Sequence, residues 1–156
     1  MDAGEYIKAA EKYINTAYKA AYSYCKNKED AEDAVQNVFL KLMKSEVTFI
    51  DDEHIKRWLI RCVVNECKNN FSSFWHRNKV SFDDLNTDPT YSDTQDGELL
   101  SVIMRLPKNY STVIHLYYYE GYDVKEISQI LEISESNVQI RLMRARNKLK
   151  EIIKEA

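Results

Sequence analysis

The stretch DVKEISQILEISESNVQIRLMRARNKLK, from Asp123 to Lys150, decides the fold. Asp123 with Glu126 three residues on forms a capping box, and it opens a short helix whose apolar residues are Val124, Ile127, Ile130 and Leu131. Glu132-Ile133 leaves room only for a tight turn. Ser134 is then a fitting N-cap for a longer helix with an inward stripe of Val138, Leu142, Ala145, Leu149 and Ile152. A short helix, a tight turn and a longer helix make a helix-turn-helix, whose second helix enters the DNA major groove. Between Gln139 and Lys150 stand five cations, Arg141, Arg144, Arg146, Lys148 and Lys150, and no acidic residue. Such cations neutralise phosphates, while Gln139 and Arg144, away from Val138 and Leu142, can reach base edges. Basic residues opposing a helix macrodipole would explain the charges alone, but not the helix and turn that precede them.

Upstream, Leu99, Ile103 and Leu106 predict a short helix, and Pro107 opens another by presetting its first φ angle. The spacing puts Tyr110, Val113, Ile114, Tyr117 and Tyr118 on that helix's inward face, and Gly121 serves the chain reversal after it. Before these lies SFDDLNTDPTYSDTQDG, residues 81–97, with five Asp, Pro89 and Gly97 and no apolar periodicity, the composition of a solvated linker. Residues 1–80 form a separate helical block. Its first helix carries Ile7, Ala10, Ile14, Ala17, Ala21 and Tyr24 on one face and ends near Asn27, which caps a second helix burying Ala31, Ala34, Val35, Val38, Phe39 and Leu42. After a Lys44 to Asp52 loop, a third helix buries Ile55, Trp58, Leu59, Cys62 and Val63 and runs toward Trp75. The expected fold is all-α: a three-helix domain over 1–80, an acidic linker over 81–97, and a four-helix domain over 98–156.

Composition agrees. The 156 residues include only three Gly and two Pro, too few breakers for the many short strands of a sandwich or barrel. Twenty-two Lys and Arg stand against 25 Asp and Glu, yet residues 81–100 hold six acidic and no basic side chains. The net charge of −3 is thus the work of the middle segment, and it excludes no nucleic-acid partner. No apolar run approaches the ~20 residues of a membrane span, and no basic-then-apolar leader opens the chain, so a cytoplasmic protein without membrane insertion is expected. The three Cys form no CxxC pair, Cys62 reads as a small core residue, and His54, His76 and His115 lie far apart, so no metal is assigned. Three dispersed Gly build no phosphate loop, and the carboxylates near Asp30 cap a helix better than they catalyse. No catalytic residue and no cofactor is expected.

The run from Leu106 to Glu151 resembles region 4 of the extracytoplasmic-function sigma factors of bacterial RNA polymerase, a branch of the sigma-seventy family. Leu106-Pro107, Glu120-Gly121, Glu126-Ile127, Ile133-Ser134 and the Arg-rich helix carry the likeness. DAEDAVQNVFLKLMK from Asp30 is similar to the family's region 2, and HIKRWLIRCVVNECKNNF from His54 to the helix that meets the −10 element. The resemblance implies polymerase docking on the β′ clamp helices by Asp33, Gln36, Asn37 and Lys41. It implies −10 contacts by Arg57, Arg61, Asn65, Lys68, Asn69 and Arg77, of which Arg61, Asn65, Lys68 and Asn69 recur at helical steps away from Trp58, Leu59 and Val63. The −35 readers would be Ser136, Gln139, Ile140, Arg141, Met143, Arg144, Arg146 and Lys148. The Ser45 to Asp52 loop is a candidate pocket for a flipped base, although its one aromatic, Phe49, also suits a core anchor.

This sequence departs from the family pattern at Asn37, Ser111, Glu132 and the Gln139-Ile140 pair, where Glu, Arg, Gly and a Lys/Arg-Ser pair are frequent. The implied function is a non-enzymatic sigma factor, a monomer when free, that directs core polymerase to promoters and helps open the −10 element. Its implied partners are polymerase core, through the β′ clamp and β flap, promoter DNA, and an inhibitory anti-sigma factor. A dimeric helix-turn-helix regulator is the alternative. The second basic helix at 54–79 argues against it, because a dimerisation domain has no need of six cations there.

Overall fold

The structure, a computed structural model, describes the backbone of residues 1–77 and 101–155 and the side chains of residues 1–69 and 101–154. Its residues group into two units, Met1–Asp84 and Leu85–Ala156. Among the described residues every regular element is helical. The linker 81–97, Leu99 and the side chains of Trp75 and Arg77 lie outside the described residues.

Three long helices build the first unit: α1 (Ala3–Cys25), α2 (Lys28–Lys44) and α3 (Asp52–Arg77). Asp2 and Glu5 close a capping box at the start of α1, and the Asn27 side chain accepts from the Asp30 N–H at the start of α2. Asp51 plays the same part for α3, its Oδ1 accepting from the His54 N–H at 2.8 Å. The core joins Ala17, Ala20 and Ala21 of α1 with Ala31, Ala34, Val38 and Leu42 of α2 and Leu59, Ile60, Val63, Val64 and Cys67 of α3.

Two stripes differ from their expected positions. Ile7 and Ile14 are 54% and 46% exposed, while Ala9, Tyr13, Ala17 and Ala20 face inward. The small alanines let the three backbones approach closely, and close packing decides the face over side-chain hydrophobicity. On α3, Ile55, Trp58 and Cys62 are only half-buried, and Ile60, Val64 and Cys67 take the core positions. Cys67, not Cys62, is the small core cysteine.

In the second unit, 101–103 is helical and leads Ile103, Met104 and Leu106 into the core. Pro107 lies one residue before α4 (Lys108–Ile114), which passes into a π-helical turn (His115–Tyr119). The wider π turn advances the register, so His115 and Leu116 turn inward and the expected inward residues Tyr117 and Tyr118 do not. Tyr110 and Tyr117 are half-buried, and Tyr118 is 58% exposed. Gly121 takes φ +77° at the reversal, a conformation that favours glycine. The capping box of Asp123 and Glu126 then opens α5 (Val124–Leu131), and the Ser134 hydroxyl accepts from the Asn137 N–H before α6 (Glu135–Glu155). Val138, Leu142 and Ala145 of α6 pack into the core with Ile127, Ile130 and Leu131 of α5.

Candidate nucleic-acid and protein-docking surfaces

On α2, the buried stripe from Ala31 to Leu42 leaves Asp33, Gln36, Asn37 and Lys41 exposed. Two of these side chains already have partners. Asn37 Nδ2 donates to Glu66 Oε1 at 3.1 Å and Lys41 Nζ meets Glu66 Oε2 at 2.9 Å, so one α3 carboxylate clamps two α2 side chains. Glu66 is 14% exposed, and its geometry explains the Asn at position 37: a carboxylate there would face another carboxylate. Asp33 and Gln36 share their helix face with Leu40 and Met43, which are 52% and 54% exposed. Sequence periodicity gives no reason to single out Leu40 or Met43. At the head of the helix, burial raises the Asp30 pKa, and Asp33 and Glu29 add repulsion.

Along α3, Arg57 pairs with Glu53 one turn back at 3.2 Å, Arg61 and Asn69 are exposed, and Asn65 and Lys68 are half-buried. Arg61, Asn65 and Lys68 or Asn69 follow one another at helical steps on one side of a continuous helix, as expected from their spacing. Cys62 beside them is shielded enough that burial raises its thiol pKa, and Cys25 is raised through its hydrogen bond to Cys67 and its own burial. Neither thiol is an activated nucleophile.

The loop between α2 and α3 flanks a cleft of about 670 Å³ lined by Tyr13, Val47, Phe49, Asp52 and Ile55 among others. Lys12 Nζ reaches Asp52 Oδ2 at 2.7 Å across its edge, and the hydrogen bond to Asp52 raises the Lys12 pKa. Phe49 is half-buried, edge-on to His54 at 5.0 Å and to Trp58 at 5.8 Å between ring centroids. It anchors the loop on α3.

On α6, Ser136, Gln139, Ile140, Met143, Arg144, Arg146 and Lys148 are all exposed, and Arg141 is half-buried. Arg141 Nε donates to Asn137 Oδ1 at 3.1 Å. Arg146 Nε donates to Tyr118 Oη at 2.7 Å, and its guanidinium lies 5.5 and 5.6 Å from the ring centroids of Tyr117 and Tyr118. Tyr117 and Tyr118, which helix periodicity assigns to the core, thus support an α6 cation from the π turn. Ser111, one of the departures from the family pattern, is fully buried and its hydroxyl donates to the Lys108 carbonyl at 3.2 Å, a packing feature rather than a surface one. Glu132, another departure, sits at φ +57° in the turn before α6.

Among the described residues, no helix is long and apolar enough to cross a membrane. Comparison with known proteins places both units. Residues 9–77 match the family described as "Sigma-70 region 2" and residues 96–149 that described as "Sigma-70, region 4". The "ECF RNA polymerase sigma factor SigM" of Bacillus subtilis is 30% identical over 147 residues, 88% of each chain. The "RNA polymerase sigma factor SigV" of the same organism is 31% identical over 133 residues, 82% of this chain and 78% of the relative. Among solved structures, the sigma factor RpoE bound to the anti-sigma factor NepR from Bartonella quintana has a TM-score of 0.72 at 17% identity, covering 96% of this chain and 97% of that one. CnrH in complex with the cytosolic domain of CnrY gives 0.67 at 19% identity over 99% and 90%.

Proposed function

We infer how this chain works from the family to which it belongs, the extracytoplasmic-function sigma factors, built from region 2 and region 4 of the sigma-70 family. It directs RNA polymerase core to promoters and has no chemistry of its own, the catalysis being the polymerase's. The observation that carries this reading is the occurrence of both regions, in order, in one chain, each with a basic helix face. A dimeric helix-turn-helix regulator would need only one such face.

The residue assignments are our proposal. The α2 face of Asp33, Gln36 and Lys41, together with the exposed Leu40 and Met43, docks on the β′ clamp helices, and Asn37 contributes by holding Glu66. Apolar centres with polar rims are how stable protein interfaces are built. Arg57, Arg61, Asn65, Lys68, Asn69 and Arg77 meet the −10 element, the cleft beside Phe49 receives a flipped base, and the α6 residues from Ser136 to Lys148 read the −35 element. Residues 1–80 and 98–156 are then the two working domains, with the second also resting on the β flap. The chain works in the bacterial cytoplasm, where its polymerase is, and is a monomer when free. Because the similar RpoE structure holds an anti-sigma factor, we propose such a partner for this chain as well.

Free of polymerase, the protein binds DNA weakly, since the six acidic residues of 81–100 oppose phosphate approach and each domain offers few cations. The test is multi-round transcription by bacterial core polymerase on a promoter library. Promoter-dependent transcripts that require the protein, and that fall by about 10-fold or more with Arg144→Ala, are expected. Failure of core to bind the protein overturns the reading and makes the dimeric regulator the leading account.

A further inference from the structure

The outward ridge of α6 is apolar at its centre. Ser136, Ile140, Met143 and Asn147 follow one another at steps of four, three and four residues, on the side of the helix opposite Val138, Leu142 and Ala145. Its two central members are bare: Ile140 is 43% exposed and Met143 53%. Cations line both sides of this ridge, with Arg146 and Lys150 beyond Gln139 on one flank and Arg141, Arg144 and Lys148 on the other. Acidic residues of α6 appear only beyond it, at Glu135, Glu151 and Glu155.

The flanking cations match the two phosphate walls of a major groove, which leaves Ile140 and Met143 facing the groove floor. Neither side chain can read donors or acceptors: Ile has no polar atom and the Met thioether is only a weak acceptor. Pressed against an exposed adenine or cytosine amino group or a guanine carbonyl, they would strip it of water and return no hydrogen bond. The one apolar feature of the floor is the thymine C5-methyl group. Along the helix axis the two residues are separated by about 4.5 Å, from a rise of 1.5 Å per residue. That compares with about 3.4 Å between successive base pairs, so the pair spans one step.

We propose that Ile140 and Met143 read the methyl groups of thymines at two adjacent A·T pairs of the −35 element, making this part of promoter recognition apolar. The proposal deepens the sigma-factor reading and rests on it. Gln139 and Arg144, flanking the ridge, are left for the polar edges of neighbouring pairs.

The test uses the full chain with core polymerase. A −35 library is first selected by transcription, and each thymine of the selected element is then replaced by deoxyuridine, which lacks only the methyl group. At sub-saturating holoenzyme, loss of one methyl contact is expected to lower transcription about fourfold, and loss of both about 15-fold, taking roughly 0.8 kcal/mol per buried carbon. In Ile140→Ala or Met143→Ala holoenzyme the same deoxyuridine substitution should have a smaller effect, because the methyl's partner is already shortened. Selected elements without adjacent A·T pairs, or transcription indifferent to every deoxyuridine, overturn the methyl reading while leaving the sigma reading standing. Absence of any promoter-dependent transcript overturns both. Should Ile140→Asn weaken the binding of core or of another protein while deoxyuridine has no effect, the ridge is a protein-docking face instead.

Discussion

The two proposed contact faces of this molecule, on α2 and on α6, are set up in opposite ways. In the first unit, polar side chains of the proposed polymerase face also serve the fold: Asn37 and Lys41 of α2 close on Glu66 of α3, 29 and 25 residues away in sequence. On α6 the ties are lighter, an i,i+4 hydrogen bond from Arg141 to Asn137 and the contact of Arg146 with Tyr118, and the ridge between the cations stays open. A docking surface that ties two long helices together can be rigid before its partner arrives. A reading surface gains from being a plain helix face whose side chains can be exchanged without disturbing the core. Mutations of similar chemistry should therefore have unequal consequences in the two units.

The largest expected effects set a common baseline. Ile60→Ala in α3 and Leu142→Ala in α6 each remove a fully or nearly fully buried side chain and should cost about 2–5 kcal/mol. Denaturant unfolding, with amide exchange followed separately in α1–α3 and α4–α6, checks this. The polar ties then separate the units. Glu66→Ala removes a largely buried carboxylate that takes two donors, one of them a charge, and should cost about 1–2 kcal/mol. Asn137→Ala removes one partner on a single helix and should cost no more than about 0.5 kcal/mol. Equal losses would break the contrast between a clamped and an open surface. Caps sharpen it further: Asp123→Ala should cost about 1 kcal/mol, because its box fixes the helix entering the turn.

Local signals carried most of the second unit. The capping box at Asp123, the cap at Ser134, the reversal at Gly121 and the Val138 stripe all lie within a few residues of what they determine, so short-range sequence pattern suffices. Ile7 and Ile14 misled because α1 offers two helical faces, and only the packing of two other helices selects the alanine face. Tyr118 misled because a single π turn shifts the register, and no spacing rule announces one. The Glu66 clamp was hidden by distance along the chain, since nothing in the sequence pairs position 66 with 37 and 41. Resemblance alone assigns Ile140 and Met143 as reading positions, and the proposal of what they read depends on seeing them exposed between two rows of cations.

The smallest expected effect compares two turns of the same shape. Lys26 ends α1 at φ +58° and Glu132 ends α5 at φ +57°, both in the left-handed conformation that L residues adopt at a cost of about 1–2 kcal/mol. Glycine avoids that cost but loses more entropy on folding, about 0.5–1 kcal/mol, so the backbone contribution of either change to Gly should be a gain of roughly 0.5 kcal/mol. The two sites differ in charge. Burial lowers the Lys26 pKa from 10.5 to about 8, so between those values the unfolded chain binds more protons than the folded one. Stability from this group therefore rises as pH increases from about 8 toward 10.5, and the penalty of the half-buried ammonium is fully present below pH 8. Lys26→Gly removes that penalty together with the strained backbone, so its gain should be larger at pH 7 than at pH 9.5. Glu132→Gly should give the same gain at both. Urea midpoints of the four combinations of protein and pH, each referred to wild type, measure the difference. A gain from Lys26→Gly that does not change with pH would mean that the Lys26 ammonium is hydrated in the folded protein, and the two turns would then differ in sequence alone.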